Sequence, residues 1–410
     1  MDRTILHCDC NGFYASVECV HRPELKRVPM AVCGNPENRH GIILAKNELA
    51  KRFGIQTAET VWQARKKCPD LVLVQPHRGE YARYSQLVNQ VYQEYTDMVE
   101  PFGIDESWLD VTGSKRLFGE GRQIADTLRR RIREELGLTI SVGVSFNKVF
   151  AKLGSDYKKP DATTEITCDN YKELLYPLPV TAMLFVGKAA AELLARSGIH
   201  TIGSLAQADR AFLARLLGKQ GEMLSDYARG LDDSPVRRTD EARDVKSVGN
   251  GMTFRRNLEG LEDIRAGVAF LSDTVAARLR RHRLKCQAVQ VMIRNPSFRT
   301  ISRQRQLAHP TDLAKEIGEA AVGVILSSWN PDAPIRMLTI TGMNLIDSDT
   351  GEQLSLIHSA DKSERQRELE TTIDRIRNKF GTSSVQLGSV LGSDLGIAPG
   401  KQYPDEESGD

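Results

Sequence analysis

Apolar and polar positions alternate from the start of the chain, which predicts a β-strand over Arg3–Cys10 with Leu6 and Cys8 on one face and Ile5, His7 and Asp9 on the other. Gly12 breaks the alternation, and a helical period begins at Phe13 and runs to Cys19. Short apolar runs at Val28–Cys33, Gly41–Ala45 and Leu71–Val74 read as strands, with helical stretches at Asn47–Phe53 and Thr60–Lys67 among them. Arg83–Val99 reads as a helix, Ile104–Val111 as a turn and strand, and Thr139–Val144 as a strand. Gly121–Leu136 is an amphipathic helix, with Ile124, Leu128, Ile132 and Leu136 four apart. Strands and helices alternate without a strict βαβ repeat, which predicts an α+β layer fold.

From residue 168 to 230 the pattern is helical, punctuated by Gly187, Gly198, Gly203 and Gly218. Asp232–Asp240 is polar, contains a proline and has no period, as a linker would. From 241 to 346 the order is strand, helix Leu261–Arg281, strands Gln287–Arg294 and Arg299–Gln306, helix Leu313–Trp329 and strand Ile335–Gly342. That β-α-β-β-α-β order predicts a ferredoxin-like unit. Lys362–Phe380 reads as a charged amphipathic helix with no assigned use.

At 410 residues the chain is long enough for several domains. It has no run of eighteen apolar residues and no charged-then-apolar leader at Met1, so a soluble, cytoplasmic protein is expected. Seven cysteines, without a CxxC pair, fit reduced core thiols better than disulfides or zinc. The net charge of +2 changes meaning once divided. Residues 241–346 hold 16 basic and 10 acidic residues, and residues 347–410 hold 7 basic and 13 acidic, a basic domain followed by an acidic tail. Arg299, Arg303 and Arg305 share one face of a strand, which suits a row of phosphates or an ordinary solvated face.

Acid is concentrated where propensity does not ask for it. Asp9 ends an apolar strand, and Asp105-Glu106 lies between Ile104 and Trp108-Leu109. Brought side by side, three carboxylates would repel one another unless cations bound them, and oxygen-only ligation favours Mg²⁺ or Mn²⁺ over zinc. Two such ions about 4 Å apart serve phosphoryl transfer. Helix capping and surface ion pairing are the competing reading of these acids. No GxxxxGK[ST] loop occurs, which removes a helicase or ATPase.

Three blocks resemble the signatures of the Y-family DNA polymerases, and within them the DNA polymerase IV (DinB-type) branch: Asp9-Cys-Asn-Gly-Phe-Tyr-Ala-Ser-Val-Glu18, Gly103-Ile-Asp-Glu-Ser-Trp-Leu-Asp-Val111 and Ser141-Val-Gly-Val-Ser-Phe-Asn-Lys-Val-Phe-Ala-Lys152. The resemblance implies a multi-domain right hand: palm 1–18 and 77–167, ferredoxin-like; small fingers 19–76; helix-hairpin-helix thumb 168–231; linker 232–246; little finger 247–346; and a tail 347–410. It implies that Asp9, Asp105 and Glu106 are catalytic and, with the Cys10 carbonyl, hold two Mg²⁺ ions, with Mn²⁺ as an alternative. It places Cys10, Asn11, Gly12, Phe13, Tyr14, Ala45, Lys51 and Lys159 at the nucleotide, Tyr14 under the sugar as a steric block to a 2′-hydroxyl and Lys159 on the triphosphate. DNA contacts are expected at Gly187 and Lys188 of a thumb hairpin, at Ser247 and Gly249 of the first little-finger strand, and at Arg299, Arg303 and Arg305.

The chain departs from the family in the fingers, where the usual Thr-Ala-Asn-Tyr-x-Ala-Arg is Ala45-Lys-Asn-Glu-Leu-Ala-Lys51, and at Asn11, which replaces a common aspartate. In the tail, Gln353, Leu354, Leu356 and Ile357 resemble the peptide by which bacterial polymerases dock into the sliding clamp. Cutting the chain after Asp347 is then expected to remove clamp stimulation and spare primer extension. The implied function is low-fidelity translesion DNA synthesis by a monomer acting on primer-template DNA and dNTPs, with no membrane partner. A non-catalytic scaffold binding DNA and clamp is the main alternative, and a nucleotidyl cyclase on a similar palm a second.

Overall fold

The computed structural model describes residues 3–34, 41–241, 244–349, 360–391 and 393–397. They form two compact units, the first of described residues up to 241 and the second of described residues from 244 on. No helix among them is long and apolar enough to cross a membrane. All seven cysteines are free thiols, and only Cys168 is exposed.

The first unit is built on a five-stranded sheet in the order β5 (Val99–Pro101), β6 (Glu106–Asp110), β1 (Ile5–Cys10), β7 (Ile140–Ser145), β8 (Thr163–Glu165). The two faces of β1 are buried against different partners. Leu6, Cys8 and Cys10 join a core with the helices Arg78–Gln93 and Gly121–Leu136. The other face, with Ile5, packs with Trp108 and with Ala151 of the helix Lys148–Tyr157. That helix lies so close to β7 that a Cβ on Gly143 would stand 1.9 Å from the Ala151 carbonyl oxygen, so glycine is required there. The helix expected at Arg83–Val99 begins instead at Arg78 and ends at Gln93, because Tyr81 in its first turn is fully buried and Val99 is drawn into β5.

A three-stranded sheet, β3 (Ile43–Lys46), β2 (Met30–Cys33), β4 (Val72–Val74), packs with the short helices Glu48–Arg52 and Val61–Lys67 over a small core. Residues 171–228 are mainly helical, around a core that also takes in Val149, Phe150 and Leu153 of the helix Lys148–Tyr157. The stretch read as a linker is docked chain as far as the unit extends. Val236 is 1% exposed, the Arg237 N–H donates to Glu100 Oε2 at 3.0 Å, and the Thr239 N–H donates to the Asp97 carbonyl at 3.0 Å.

The second unit carries the expected β-α-β-β-α-β order, with β9 (Ser247–Leu258), β10 (Leu284–Arg294), β11 (Thr300–Thr311) and β12 (Ile335–Asp347) arranged β11-β10-β12-β9. Neighbours are antiparallel, and the helices Gly260–Arg281 and Ala314–Ser328 pack on one face. The tail is not a separable appendage. From its helix Ala360–Phe380, Glu370 and Asp374 meet Arg280 at 2.5 and 2.7 Å, Arg367 meets Asp312 at 3.0 Å, and Arg377 meets Asp273 at 2.8 Å. Leu395 and Ile397 complete the core of the unit. Cutting after Asp347 therefore removes part of the fold, contrary to the sequence-based expectation.

Candidate active site

Strand register gathers the acids. Asp9 on β1 stands directly opposite Glu106 on β6, and the Cys10 N–H donates to the Asp105 carbonyl at 2.9 Å. The helix Lys148–Tyr157, capped by the Asn147 side chain on the Phe150 N–H at 2.7 Å, delivers Lys152 to this cluster. Its ammonium pairs with Glu106 and lies 3.4 Å from Asp9 and 3.6 Å from Asp156. Lys159 reaches both Asp9 and Asp156 at 2.8 Å.

Three carboxylates crowded out of water are costly to ionise together. Burial, and then the charge of Asp9, pushes Asp105 up to about 6. Burial also lifts Glu106 up to about 7 against the pull of Lys152, with Asp9 and Asp105 adding to the rise. For Lys152 burial opposes the charge, but Glu106, Asp156 and Asp9 hold it above the usual lysine value.

Sequence reasoning missed His7. It is fully buried behind Glu106, with Nε2 3.4 Å from Glu106 Oε2 and Nδ1 2.8 Å from Ser155 Oγ. Ser155 spends its own proton on the Lys152 carbonyl at 2.8 Å, so Nδ1 is the donor of that pair. Burial, then the charges of Lys152 and Lys159, keeps His7 neutral, well below the usual histidine range. The inward alternation of β1 was the available signal.

Among the described residues no three His, Cys, Asp or Glu side chains stand in metal-holding geometry, and the two ammonium groups neutralise the acids instead. The donor set nevertheless fits a hard divalent cation. Asp9, Asp105, Glu106 and the Cys10 carbonyl offer oxygen alone, and burial and mutual repulsion give these acids a need for positive charge.

Beside the acids, Gly12 turns the chain at φ +54°, and a Cβ there would come 3.2 Å from the Lys46 carbonyl oxygen on β3. The Phe13 side chain is buried, while Tyr14 is partly exposed and stacks on Tyr81 with ring centres 4.1 Å apart. Tyr81 and Glu18 form a floor that sequence reasoning did not foresee. The buried Glu18 accepts from the Tyr81 hydroxyl at 2.6 Å, from His77 at 2.8 Å and from Arg22 at 2.8 Å, contacts that outweigh burial and hold its carboxyl below the usual range. The Asn11 side chain is engaged with the protein itself, accepting from the Asp161 N–H at 2.8 Å and donating to Ser141 Oγ at 2.9 Å. In the fingers, Ala45 packs in the same small core as Tyr14, and Lys51 lies 3.6 Å from Glu48 at the surface. Lys46 donates to Thr57 Oγ1 at 3.0 Å.

Among the other expected contacts, Gly187 precedes the helix Lys188–Arg196 with no side chain capping it, and Lys188 is exposed. Ser247 and Gly249 lie on edge strand β9 of the second unit. Arg299, Arg303 and Arg305 are exposed and share parity with Ile301 and Leu307, which pack on the core. Arg299 falls in the turn before β11, while Arg303 and Arg305 share the helix-bearing face, and Arg305 lies over Gly323 of the helix Ala314–Ser328. Gln353, Leu354, Leu356 and Ile357 lie outside the described residues.

Comparison with known proteins covers both units. The impB/mucB/samB family matches residues 8–156, and its C-terminal domain matches residues 245–356. A DNA polymerase IV of Acetivibrio thermocellus is 47% identical over 95% of this chain and 98% of its own length. DNA polymerase IV 1 of Bacillus subtilis is 35% identical over 95% of this chain and 93% of its own. A Y-family DNA polymerase chimera of known structure aligns with a TM-score of 0.74 at 21% identity, over 84% of this chain and 99% of that one, a likeness of fold.

Proposed function

The chain belongs to the Y-family DNA polymerases, in their DNA polymerase IV branch, and from this premise we propose that it copies primer-template DNA past damaged bases with low fidelity, using Mg²⁺ held by Asp9, Asp105, Glu106 and the Cys10 carbonyl. It is a DNA-directed DNA polymerase, and divalent-metal dependence goes with that identity. One observation carries the site assignment: register and the Lys148–Tyr157 helix with the loop after it bring three carboxylates and two lysines together, near a partly exposed tyrosine. Retention of all three acids favours an enzyme over a binding scaffold. The paired ions would activate the primer 3′-hydroxyl and stabilise charge on the triphosphate.

The chain's own residues have separate tasks. Asp9, Asp105 and Glu106 would hold the cations, and Lys159 would place its ammonium on the triphosphate. Lys152 would hold Glu106 and Asp9 in place. The Tyr14 ring, backed by Tyr81, would leave no space for a 2′-hydroxyl, and Lys46 or Lys51 would supply the fingers contact to phosphate that Ala45 and Glu48 do not. Primer extension with Mg²⁺ as the sole divalent ion, on undamaged and adducted templates, tests the reading. No extension on either template would overturn it. Tyr14→Ala should raise the rNTP to dNTP incorporation ratio at least about tenfold, the effect of removing a steric selection of about 1.4 kcal/mol. An unchanged ratio would place sugar selection elsewhere.

Docking on a bacterial sliding clamp is proposed through Gln353, Leu354, Leu356 and Ile357. Replacing these four with alanine should remove stimulation by loaded clamp on primed circular DNA while extension without clamp is retained. Undiminished stimulation would assign the contact to another surface.

A further inference from the structure

We infer that Asn11 is a positioning residue for nucleotide binding: through the backbone of Asp161 it fixes the loop that carries Lys159. The inference rests on the assignment of Lys159 to the triphosphate. Lys159 follows the helix Lys148–Tyr157 and precedes β8, and its ammonium reaches Asp9 and Asp156 at 2.8 Å. A lysine stem is long and flexible, so where that charge stands depends on how firmly the backbone beneath it is held.

Two residues on, the backbone is held from both sides. Asp161 has φ +52°, a left-handed conformation that a non-glycine residue keeps only when its surroundings impose it. From one side Arg129 binds the Asp161 carbonyl and carboxylate, with Nε 3.1 Å and Nη2 3.0 Å from Oδ1, and Arg133 binds Oδ2. From the other side Asn11 Oδ1 accepts the Asp161 N–H at 2.8 Å. The Val142 N–H then donates to the Ala162 carbonyl at 2.8 Å, which returns the chain to the sheet.

Asn11 is itself rigidly mounted. Its N–H donates to the Thr139 carbonyl at 2.9 Å, its carbonyl accepts from Ser16 Oγ at 2.6 Å, and its amide donates to Ser141 Oγ at 2.9 Å. It lies two residues from Asp9, so one short segment fixes both a carboxylate and, through Asp161, the lysine that meets it. An amide suits the post. It accepts from Asp161 and donates to Ser141 without adding a further negative charge beside Asp9 and the triphosphate.

The test is single-nucleotide incorporation at varied dNTP by the full chain, in five forms: wild type, Lys159→Ala, Asn11→Ala, Asn11→Asp and the double Asn11→Ala/Lys159→Ala. Asn11→Ala should raise KM about tenfold, the scale of one charge-assisted contact, with kcat within about twofold, since a contact made equally in ground and transition states shows in KM. Asn11→Asp keeps the acceptor for Asp161 but loses the donation to Ser141 and adds a charge beside Asp9, so its KM should fall between those of wild type and Asn11→Ala. The double variant should be no worse than Lys159→Ala, because Asn11 acts through that lysine. Fully additive KM effects, a fall in kcat with KM unchanged, or an Asn11→Asp variant as impaired as Asn11→Ala would each overturn the inference. If Lys159→Ala alone leaves KM unchanged, the triphosphate assignment falls, and the role of Asn11 falls with it.

Discussion

Two sets of buried acid, one in each unit, are treated differently. In the first, Asp9 and Glu106 pair with the ammonium groups of Lys152 and Lys159, and Asp105 and Glu106 are pushed towards neutrality by burial. In the second, each acid of the tail contact meets a guanidinium: Glu370 and Asp374 on Arg280, Asp312 on Arg367, Asp273 on Arg377. A guanidinium offers a fixed fork of donors and closes a pair, whereas an ammonium is a point charge that a cation can replace. Acid held by ammonium, the unbalanced set, suits a site that takes up a cation, and acid closed by guanidinium, the matched set, suits architecture, although burial raises Asp273 as it does Asp105.

The largest expected effect lies in the matched set. Ending the chain after Asp349 strips Arg280 of both its carboxylates, takes the guanidinium groups of Arg367 and Arg377 from Asp312 and Asp273, and takes Leu395 and Ile397 out of the core. Breaking one buried pair from one side costs about 3–5 kcal/mol, and removing each apolar side chain about 1.5–3 kcal/mol. Together these rival the whole stability of a domain, about 5–15 kcal/mol. Thermal unfolding and limited proteolysis should show the second unit melting early or not folding. A truncated protein with an unchanged transition would make the ion pairs ornamental.

Next comes the unbalanced set, where the effect should fall on rate alone. Asp105→Ala should lower nucleotide incorporation at least about a hundredfold, the scale of removing one electrostatic interaction made in the transition state. The melting temperature should stay the same or rise, because a buried carboxylate beside Asp9 opposes folding, and active sites commonly sacrifice stability in this way. If stability falls along with activity, Asp105 belongs with Asp312 as a structural acid and the comparison fails.

What the sequence revealed of these two sets follows from how each is encoded. Asp9 was legible because an acid interrupts the apolar alternation of β1, and Asp105-Glu106 because it interrupts an apolar run. Their meeting was not legible in the residues themselves, since the Asp9–Glu106 register is set by strand pairing across the sheet and came only with the family resemblance. His7 and Glu18 escaped notice because a buried polar residue takes its role from partners such as Ser155 and Tyr81, far away in sequence. The tail contact was hidden for a related reason. Arg280, Asp312 and Asp374 have no spacing that announces a pairing, and Leu395 and Ile397 lie in a short stretch without period. The docking of Val236 was missed likewise, because Asp232–Asp240 has the composition of a linker.

The smallest expected effect concerns cations that belong to neither set. Among the described residues Arg299, Arg303 and Arg305 face no carboxylate, and the hydrogen bond seen from Arg303 runs only to the Ser302 carbonyl. By the logic of the two units, unmatched charge at the surface of the second should serve a ligand, and the phosphates of a DNA duplex fit a row of guanidinium groups. The place of Arg303 and Arg305 on the helix-bearing side makes the prediction directional, since Ser302, Gln304 and Gln306 occupy the opposite face of the same strand. Each phosphate no longer neutralised should reduce the slope of log affinity against log salt by about 0.9, so changing all three arginines to glutamine should flatten it by about 2 to 3. Changing Ser302 and Gln304 to alanine should leave the slope as it was, because neither side chain neutralises a phosphate. Equilibrium binding to one primer-template duplex across a range of salt measures both. A slope unmoved by removal of the three arginines would mean that unmatched charge on β11 is solvated surface, and that the rule drawn from the acids does not extend to the bases.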